Sequence, residues 1–189
     1  MILFTSAVAQ ELGDLPGKPV GIGLCDAMLG TAALLRQRRP ALLVFVGTAG
    51  AFPGGPAIGA VVQAGTVILG DAALMLGLGY SPMHPELLAT PPLPGIPSVV
   101  VLTQLAITTD PGLAARCGAL AQVENMEAYG VARACARAGV PWACVLGVTN
   151  HVGPNAHAEW LANRAAAEER ARSSARHAAQ VPPRRELTG

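Results

Sequence analysis

Val123-Glu124-Asn125-Met126-Glu127 is the stretch that best indicates how this chain folds. It places a carboxylate, Glu127, on the opening turn of a predicted helix that runs to about Ala138. Gly139 then supplies the left-handed residue that commonly ends a helix, and Pro141 prevents the helix from continuing. The sequence therefore predicts a helix that begins with a carboxylate available for function.

An apolar run and then a polar run follow this helix. Trp142 to Val148 is almost wholly apolar, which is the pattern of a strand covered on both faces. It leads directly into Thr149-Asn150-His151. Because open α/β sheets place their ligand sites at the carboxyl ends of their strands, we expect Glu127 and Asn150 to lie in one site.

The rest of the chain alternates between predicted strands and helices. The predicted strands are Ile2–Ala7, Ala41–Val46, one or two strands within Ile58–Asp71, and Ser98–Ala106. The other predicted helices run from an N-cap at Asp26 to about Arg38 and from about Trp160 to Ala179. Gly77–Pro97 contains six prolines and is expected to be irregular, as a lid or an oligomer contact. This order predicts an α/β single domain around a central mixed, twisted sheet.

Length and composition limit the classes of protein to consider. We expect one domain over residues 1–180 and a flexible tail over 181–189, because 189 residues can bury most of the apolar surface of a single domain. Hydrophobic residues make up 51% of the chain and charged ones 13%, which favours a homo-oligomer, a dimer or larger. A net charge of +1 argues against a nucleic-acid partner.

Several other features favour a cytoplasmic enzyme without a metal or cofactor. The four cysteines lack CxxC spacing and are expected to be buried, reduced thiols. The four histidines have no metal-ligand spacing. No signal peptide is evident, and glycines and prolines interrupt the apolar stretch from Ala41 well short of a membrane span.

Two further features are ambiguous when taken alone. Gly47-Thr48-Ala49-Gly50 follows a predicted strand, where glycines can let the backbone approach a ligand or can simply form a tight turn. Glu11 follows the first predicted strand, but a carboxylate in that position is more often a solvated residue of a first helical turn. Glu124 is likewise expected to be solvated, as is the charged face formed by Glu168, Glu169, Arg170, Arg172 and Arg176.

Val123 to Trp160 resembles the nucleoside phosphorylase/nucleosidase superfamily, and most of all its futalosine hydrolase branch. That branch has a similar Glu-Asn-Met-Glu block, a Ser/Thr-Asn pair at the later strand end, and a Trp shortly after it. The resemblance extends over about residues 1–165 and implies a three-layer sandwich with helices on both sides of the sheet. It also implies that Glu11 positions and deprotonates the attacking water.

The glycine-rich segment bears on the nucleophile. Gly47 to Ala51 resembles the superfamily's Gly-Ser-Ala-Gly-Gly block, with Thr48 in the hydroxyl position. Where the phosphorylases have an arginine that binds phosphate, two residues before the first glycine, this chain has Phe45. A phosphate dianion requires charge-assisted donors, so water is the expected nucleophile.

The resemblance assigns the remaining roles. Glu127 would accept hydrogen bonds from the ribose hydroxyls, Met126 would pack beneath the ribose, and Ile107 and Thr108 would hold the purine. Asn125 is as much a helix N-cap as a ligand contact. Asn150 would address the purine edge; an amide suits a 6-oxopurine, since it donates to O6 and accepts from a protonated N7. The expected substrate is futalosine, an intermediate of an alternative menaquinone route.

Three alternatives stay open. The chain could be a methylthioadenosine/adenosylhomocysteine-type nucleosidase or a purine nucleoside phosphorylase, which differ in base identity and phosphate dependence. It could also be a non-catalytic nucleoside-binding member, because Leu12–Val20 is shortened where relatives carry an extra strand pair. The roles of His84, His151 and Trp160 are not fixed by the sequence; His151 could orient Asn150, and Tyr80, Met83 and His84 could reach a nucleoside from the proline-rich segment.

Overall fold

The computed structural model describes residues 1–82, 86–89 and 92–180. The predicted tail 181–189, Met83 and His84 lie outside the described residues. The strands are β1 (Ile2–Ser6), β2 (Gly17–Pro19), β3 (Leu42–Ala51), β4 (Val61–Leu69), β5 (Glu86–Leu88), β6 (Ser98–Thr103), β7 (Val123–Asn125) and β8 (Trp142–His151). The helices are α1 (Ala9–Leu12), α2 (Gly23–Gln37), α3 (Ala72–Met75), α4 (Pro111–Gly118), α5 (Ala128–Ala138) and α6 (Ala156–Gln180).

The strands form one mixed sheet that closes on itself. β3 pairs parallel with β8, β8 antiparallel with β4, β4 parallel with β6, β6 parallel with β7, and β7 antiparallel with β3. These five strands therefore make a ring. β1 pairs with the amino-terminal half of β3, β2 pairs with β1, and β5 pairs with β4. We call the five strands β3, β8, β4, β6 and β7 the closed ring.

Helices cover the sheet on both faces, which confirms the predicted α/β fold. Leu43 and Phe45 of β3 share a buried cluster with residues of α2 and α5. Val44 and Val46, which alternate with them, share a second buried cluster with the alanines of α6. Because successive residues of a strand point to opposite faces, a strand covered on both sides is apolar throughout.

One glycine allows α6 to lie close against the sheet. A Cβ on Gly147 of β8 would lie 2.3 Å from the carbonyl oxygen of Ala167 on α6. A side chain there would therefore collide with the backbone of the helix rather than with a movable group. This contact fixes the distance between α6 and the carboxyl end of β8.

Two strands continue further than the sequence predicted. β3 and β8 were expected to end at Val46 and Val148, but they run to Ala51 and His151. They stay paired to their ends, with Gly50 opposite Asn150 across a bulge. The ladder therefore holds the glycines and polar residues that would otherwise favour a turn, and of the two alternatives at Gly47 the tight turn is not formed.

Other elements differ in smaller ways. α2 begins at Gly23, so Asp26 lies in its first turn and is not its N-cap. The strand β7 and the helix α4 were not predicted. Within the proline-rich segment, Glu86–Leu88 forms β5, and the side-chain amide of Gln63 donates to the carbonyl oxygen of Leu93 at 2.7 Å. This part of the segment therefore packs on the sheet.

The expected end of α5 is confirmed, but the helix begins at Ala128, so Glu127 is its N-cap and does not lie in its first turn. Gly139 has φ 63° and ψ 35° and ends the helix in the left-handed conformation. Three cysteines are buried, but Cys25 is exposed, contrary to the prediction for all four. None of the helices in the described part of the chain is long and apolar enough to cross a membrane.

Candidate active site

A cavity of about 550 Å³ lies at the carboxyl ends of the central strands. Its walls come from the ends of β1, β3, β7 and β8, from the loop after β6, and from one face of α6. This volume is within the range of pockets that enclose small organic ligands. Of the predicted site residues, those that line it are Glu11, Thr48, Ile107, Asn125, Met126, Glu127 and Asn150.

Glu11 is a buried carboxylate, not the solvated residue that its position alone suggests. It lies in α1 with 9% of its surface exposed. The backbone N–H groups of Ala7 and Val8 donate to Oε2 at 3.1 and 3.3 Å. Among the described residues, no donor contacts Oε1, which lies 3.6 Å from the position of a Cβ on Gly47. Oε1 is therefore open to a ligand or a water molecule.

Burial changes the acidity of Glu11. Loss of solvent, and next the nearby negative charge of Glu127, raise the pKa of Glu11 to about 7. A group with such a pKa exchanges protons readily at neutral pH, which suits a general base or acid. Perturbed carboxylates in a cleft are typical of catalytic sites.

Glu127 is held between two donors. The backbone N–H of Gly23 donates to Oε1 at 2.8 Å, and the side-chain amide of Asn125 donates to Oε2 at 3.0 Å. Burial raises its pKa. Because each carboxylate oxygen can accept a second hydrogen bond, Glu127 keeps acceptor capacity toward the cavity.

Asn125, the last residue of β7, binds the start of α5, whose N-cap residue is Glu127, and positions Glu127. Its Oδ1 accepts from the backbone N–H groups of Glu127 and Ala128 at 2.8 and 2.7 Å. Its Nδ2 donates to the carbonyl oxygen of Thr48 at 3.0 Å, as well as to Glu127. Both of its polar atoms are thus engaged within the protein, which favours the capping role over a direct ligand contact.

Asn150 is fixed by its neighbours in sequence. Its Oδ1 accepts from the Thr149 hydroxyl at 2.8 Å, and its Nδ2 donates to the carbonyl oxygen of His151 at 3.1 Å. That carbonyl can only accept, so it determines which end of the amide carries nitrogen. The imidazole of His151 is instead exposed and lies 3.4 Å from Glu159.

Glu124 is buried, and the expectation that it is solvated is wrong. It accepts from the Gln104 amide at 3.1 Å and from the backbone N–H of Thr108 at 3.2 Å. These bonds hold the loop that carries Ile107 at the rim of the cavity. Thr108 lies behind the wall of the cavity; its hydroxyl accepts from Gln104 at 2.7 Å.

One face of α6 forms the outer wall. Residues four apart along the helix line the cavity, namely Ala156, Trp160, Arg164 and Glu168. The indole N–H of Trp160 donates to the Thr48 hydroxyl at 3.4 Å. Glu168 and Arg172 have only 14% and 12% of their side chains exposed, which corrects the prediction that they belong to a solvated face.

Some expected site residues do not line the cavity. Gly47 lies beside it, against Phe45 and Glu11, and Thr108 lies behind it. Tyr80 is exposed and is not part of its walls.

The sequence reasoning missed Glu124, Gln104, Arg164 and Glu168. The i, i+4 spacing of Trp160, Arg164 and Glu168 was the signal that could have placed the last two.

Within the described ranges, no group of His, Cys, Asp and Glu side chains is arranged to hold a metal ion. The chemistry that these residues themselves can supply is proton transfer by Glu11, acceptance of hydrogen bonds by Glu127, and two-way hydrogen bonding by Asn150.

Comparison with known proteins identifies the family of this chain. A sequence profile described as Phosphorylase superfamily matches residues 108–181. The chain is 32% identical over 168 residues to futalosine hydrolase of Thermus thermophilus, with 77% of this chain and 73% of that protein covered. The chain therefore belongs to the nucleoside phosphorylase/nucleosidase superfamily, as the sequence motifs predicted. It is an enzyme of the N-glycosyl hydrolase class.

Solved structures share the fold at low identity. Futalosine hydrolase of Helicobacter pylori has a TM-score of 0.83 at 13% identity, covering 94% of this chain and 96% of that one. A 5′-methylthioadenosine/S-adenosylhomocysteine nucleosidase of Colwellia psychrerythraea, in complex with adenine, has a TM-score of 0.80 at 17% identity, covering 94% and 93%. At these identities the similarity extends to the fold alone.

Proposed function

We propose that this protein hydrolyses the N-ribosidic bond of futalosine and releases hypoxanthine and dehypoxanthine futalosine. The observation that carries the proposal is the convergence of Glu11, Glu127 and Asn150 on one cavity. The three residues come from separate parts of the chain, and each keeps hydrogen-bonding capacity toward the cavity. The relative in Thermus thermophilus, a futalosine hydrolase, supports the choice of substrate.

Glu11 is the proposed base. It takes a proton from water as the water oxygen bonds to the anomeric carbon of the ribose. The bond from that carbon to the purine nitrogen breaks, its electron pair goes to the purine, and the purine takes up a proton at N7 from solvent. Glu11 then returns its proton to solvent, so the net reaction adds one water. A pKa of about 7 leaves a large fraction of Glu11 ionised at neutral pH, so it can accept that proton.

Glu127 is the proposed ribose anchor. Its two protein donors occupy one site on each oxygen, so the remaining sites can accept from the ribose 2′- and 3′-hydroxyls. These bonds stabilise the transition state if they strengthen as positive charge develops on the sugar. Met126 lines the same part of the cavity and would pack beneath the ribose.

Asn150 is the proposed reader of the base. Its bonds to Thr149 and His151 leave one acceptor site on Oδ1 and one hydrogen on Nδ2. A 6-oxopurine protonated at N7 offers the matching donor at N7–H and the matching acceptor at O6. An adenine nucleoside presents an amino group at position 6, which fits the remaining N–H poorly.

Water rather than phosphate is the proposed nucleophile. Phe45, in the position where the phosphorylases have arginine, is fully buried in the core. The experiment is base release from futalosine, aminofutalosine, inosine and methylthioadenosine, each with and without phosphate. We expect hypoxanthine from futalosine, no dependence on phosphate, and loss of activity in Glu11→Gln.

The same assay tests the alternatives. Adenine release would favour the methylthioadenosine-type nucleosidase and would contradict the role of Asn150. A phosphate requirement would favour a phosphorylase, and nucleoside binding without turnover would favour a binding protein. As a further check, Asn150→Asp should gain activity on an adenine nucleoside, because a protonated carboxyl can donate to N7 and accept from the 6-amino group.

We also propose a cytoplasmic homo-oligomer. Large apolar side chains are exposed near the cavity, with Ile22 at 62%, Leu105 at 70% and Ile107 at 51% exposure. Such residues are commonly covered by a second subunit. Light scattering after size-exclusion chromatography should give a mass of at least twice 19.2 kDa; a monomer would contradict the proposal.

A further inference from the structure

We propose that Arg164 binds an anionic group on the substrate, a carboxylate at the end of the 5′ substituent. The inference rests on the proposed function, and it names the residue that selects the charged substrate over neutral nucleosides. Four carboxylates and one guanidinium, that of Arg164, are among the described residues lining the cavity. A substrate that carries its own carboxylate needs this cation.

Arg164 is held in place but is not neutralised. Its guanidinium carbon lies 4.9 Å from the centre of the Trp160 ring, a distance at which a cation is attracted to an aromatic face. The indole is in turn bonded to Thr48 and stacked by His157 at 5.8 Å between ring centres. Within the described part of the chain, Arg164 makes no ion pair and no hydrogen bond. Its N–H donors therefore remain available to a ligand.

Arg164 lies on α6 between the proposed purine end of the cavity and the part of the helix near Glu11. Asn163 donates to the Thr149 carbonyl oxygen, and Glu159 accepts from the His151 N–H, so the first part of α6 lies beside Asn150 and the purine end. Glu168 is close enough to Glu11 to raise its pKa. Arg164 lies between these ends on the cavity wall, roughly 6 Å beyond Trp160 along the helix. We therefore place the end of the 5′ substituent beside this part of α6.

The cavity carboxylate next along α6 makes no ion pair with this cation in the described part of the chain. Glu168 is four residues beyond Arg164, and its Oε2 lies 3.9 Å from Nη1 of Arg172, which also pairs with Glu169 at 2.7 Å. Arg172 in turn donates to the carbonyl oxygens of Gln10 and Glu11. Arg164 therefore keeps its donors, and its planar guanidinium can bind a carboxylate through two parallel hydrogen bonds.

The test compares two ligands that differ only in this charge. Futalosine and its methyl ester are assayed with the wild type, Arg164→Gln, Arg164→Lys and the control Arg133→Gln, which changes an exposed arginine on α5. Because Arg164 is an exposed residue, solvent weakens its attraction to a carboxylate. We therefore expect Arg164→Gln to raise KM for futalosine about twofold to fivefold, with kcat little changed and the methyl ester unaffected. Arg164→Lys should restore part of the preference, and Arg133→Gln should match the wild type.

The outcomes separate the inference from the proposed function. If the wild type cleaves futalosine and Arg164→Gln affects acid and ester equally, or neither, the inference is wrong and the proposed function stands. If the wild type cleaves only neutral nucleosides, the proposed substrate and the inference both fail. If Arg164→Gln instead abolishes stimulation by phosphate, Arg164 binds the nucleophile and the inference is overturned.

Discussion

Asn150 owes its position to a glycine on the neighbouring strand. A Cβ on Gly50 would lie 2.8 Å from Nδ2 of Asn150 and 3.2 Å from Cγ2 of Val152. The first contact is with the end of a side chain that can rotate, and the backbone of Gly50 does not require a glycine conformation. The cost of a methyl group at this position therefore falls on the orientation of the amide.

At the scale of this residue we predict that Gly50→Ala impairs catalysis more than folding. The displaced amide should lower kcat/KM about 10²-fold, which is typical of a misplacement near 1 Å. The melting temperature should fall by only a few degrees. Steady-state kinetics and thermal melting check both, with Gly79→Ala as a control, where the nearest atom to the new methyl is 3.9 Å away. Full activity in Gly50→Ala would argue against a role for the Asn150 amide.

Single residues could be predicted only where a motif identified them. The Glu-Asn-Met-Glu block identified Glu127, the Thr-Asn pair identified Asn150, and the opening segment identified Glu11. All three residues line the cavity. Glu124 could not be placed from sequence, because its burial depends on Gln104 and Thr108 in a loop that packs over it. A charged residue is normally solvated, and only tertiary structure reveals the partners that replace water.

At the scale of elements, the contact between β8 and α6 decides where the outer wall of the cavity lies. We predict that Gly147→Ala moves α6 away from the sheet, because the new methyl would meet the backbone oxygen of Ala167. Overpacking of this kind costs about 1–3 kcal/mol, so the melting temperature should fall by several degrees. Futalosine turnover should also fall, since Trp160 and Arg164 move with the helix. Calorimetry and kinetics check both effects.

A second variant sharpens this prediction. Adding Ala167→Gly to Gly147→Ala removes the side chain of Ala167 but leaves its carbonyl oxygen in place. Stability should not recover, and it should fall further because glycine is unfavourable inside a helix. Recovery in the double variant would mean that the clash is with the methyl group and not with the backbone.

Whole elements were predictable where local signals agreed with the tertiary structure. Gly139 and Pro141 correctly ended α5, and the apolar runs gave the cores of β3 and β8. The ends of those strands were not predictable, because Gly50 and Asn150 remain in strand conformation by pairing with each other across β3 and β8. The helix α4 carried a usable signal, since Asp110 accepts from Leu113 N–H at 2.7 Å and Pro111 follows it. β7 has three residues, too few for a periodic pattern.

At the scale of the molecule, the buried carboxylates make stability depend on pH. Burial raises the pKa of Glu11, Glu124 and Glu127, so the folded chain binds their protons more tightly than the unfolded chain does. Stability should therefore decrease as pH rises from the ordinary carboxyl pKa of 4.5 through the folded value, which is about 7 for Glu11. The free energy of unfolding, measured with denaturant from pH 5 to 8, checks this.

Glu11→Gln isolates one part of that dependence. The variant should match the wild type below about pH 4 and exceed it by up to about 3 kcal/mol at pH 8, because glutamine never ionises. Glu86→Gln, a change at an exposed carboxylate, serves as the control. Parallel curves for the wild type and Glu11→Gln would contradict the raised pKa and weaken the case for Glu11 as a base.

The closed ring constrains how a substrate can enter and leave. Any separation of two of its five strands breaks a hydrogen-bonded ladder of the ring. Its shortest strand, β7, carries Glu124 and Asn125, which line the cavity. Opening the sheet would therefore dismantle the site itself. Substrate must therefore enter, and product leave, on the side of the cavity bounded by α6 and the loop at Ile107. We therefore expect the motions that admit substrate and release product to occur in the loop at Ile107 and in the α6 side chains that face the cavity.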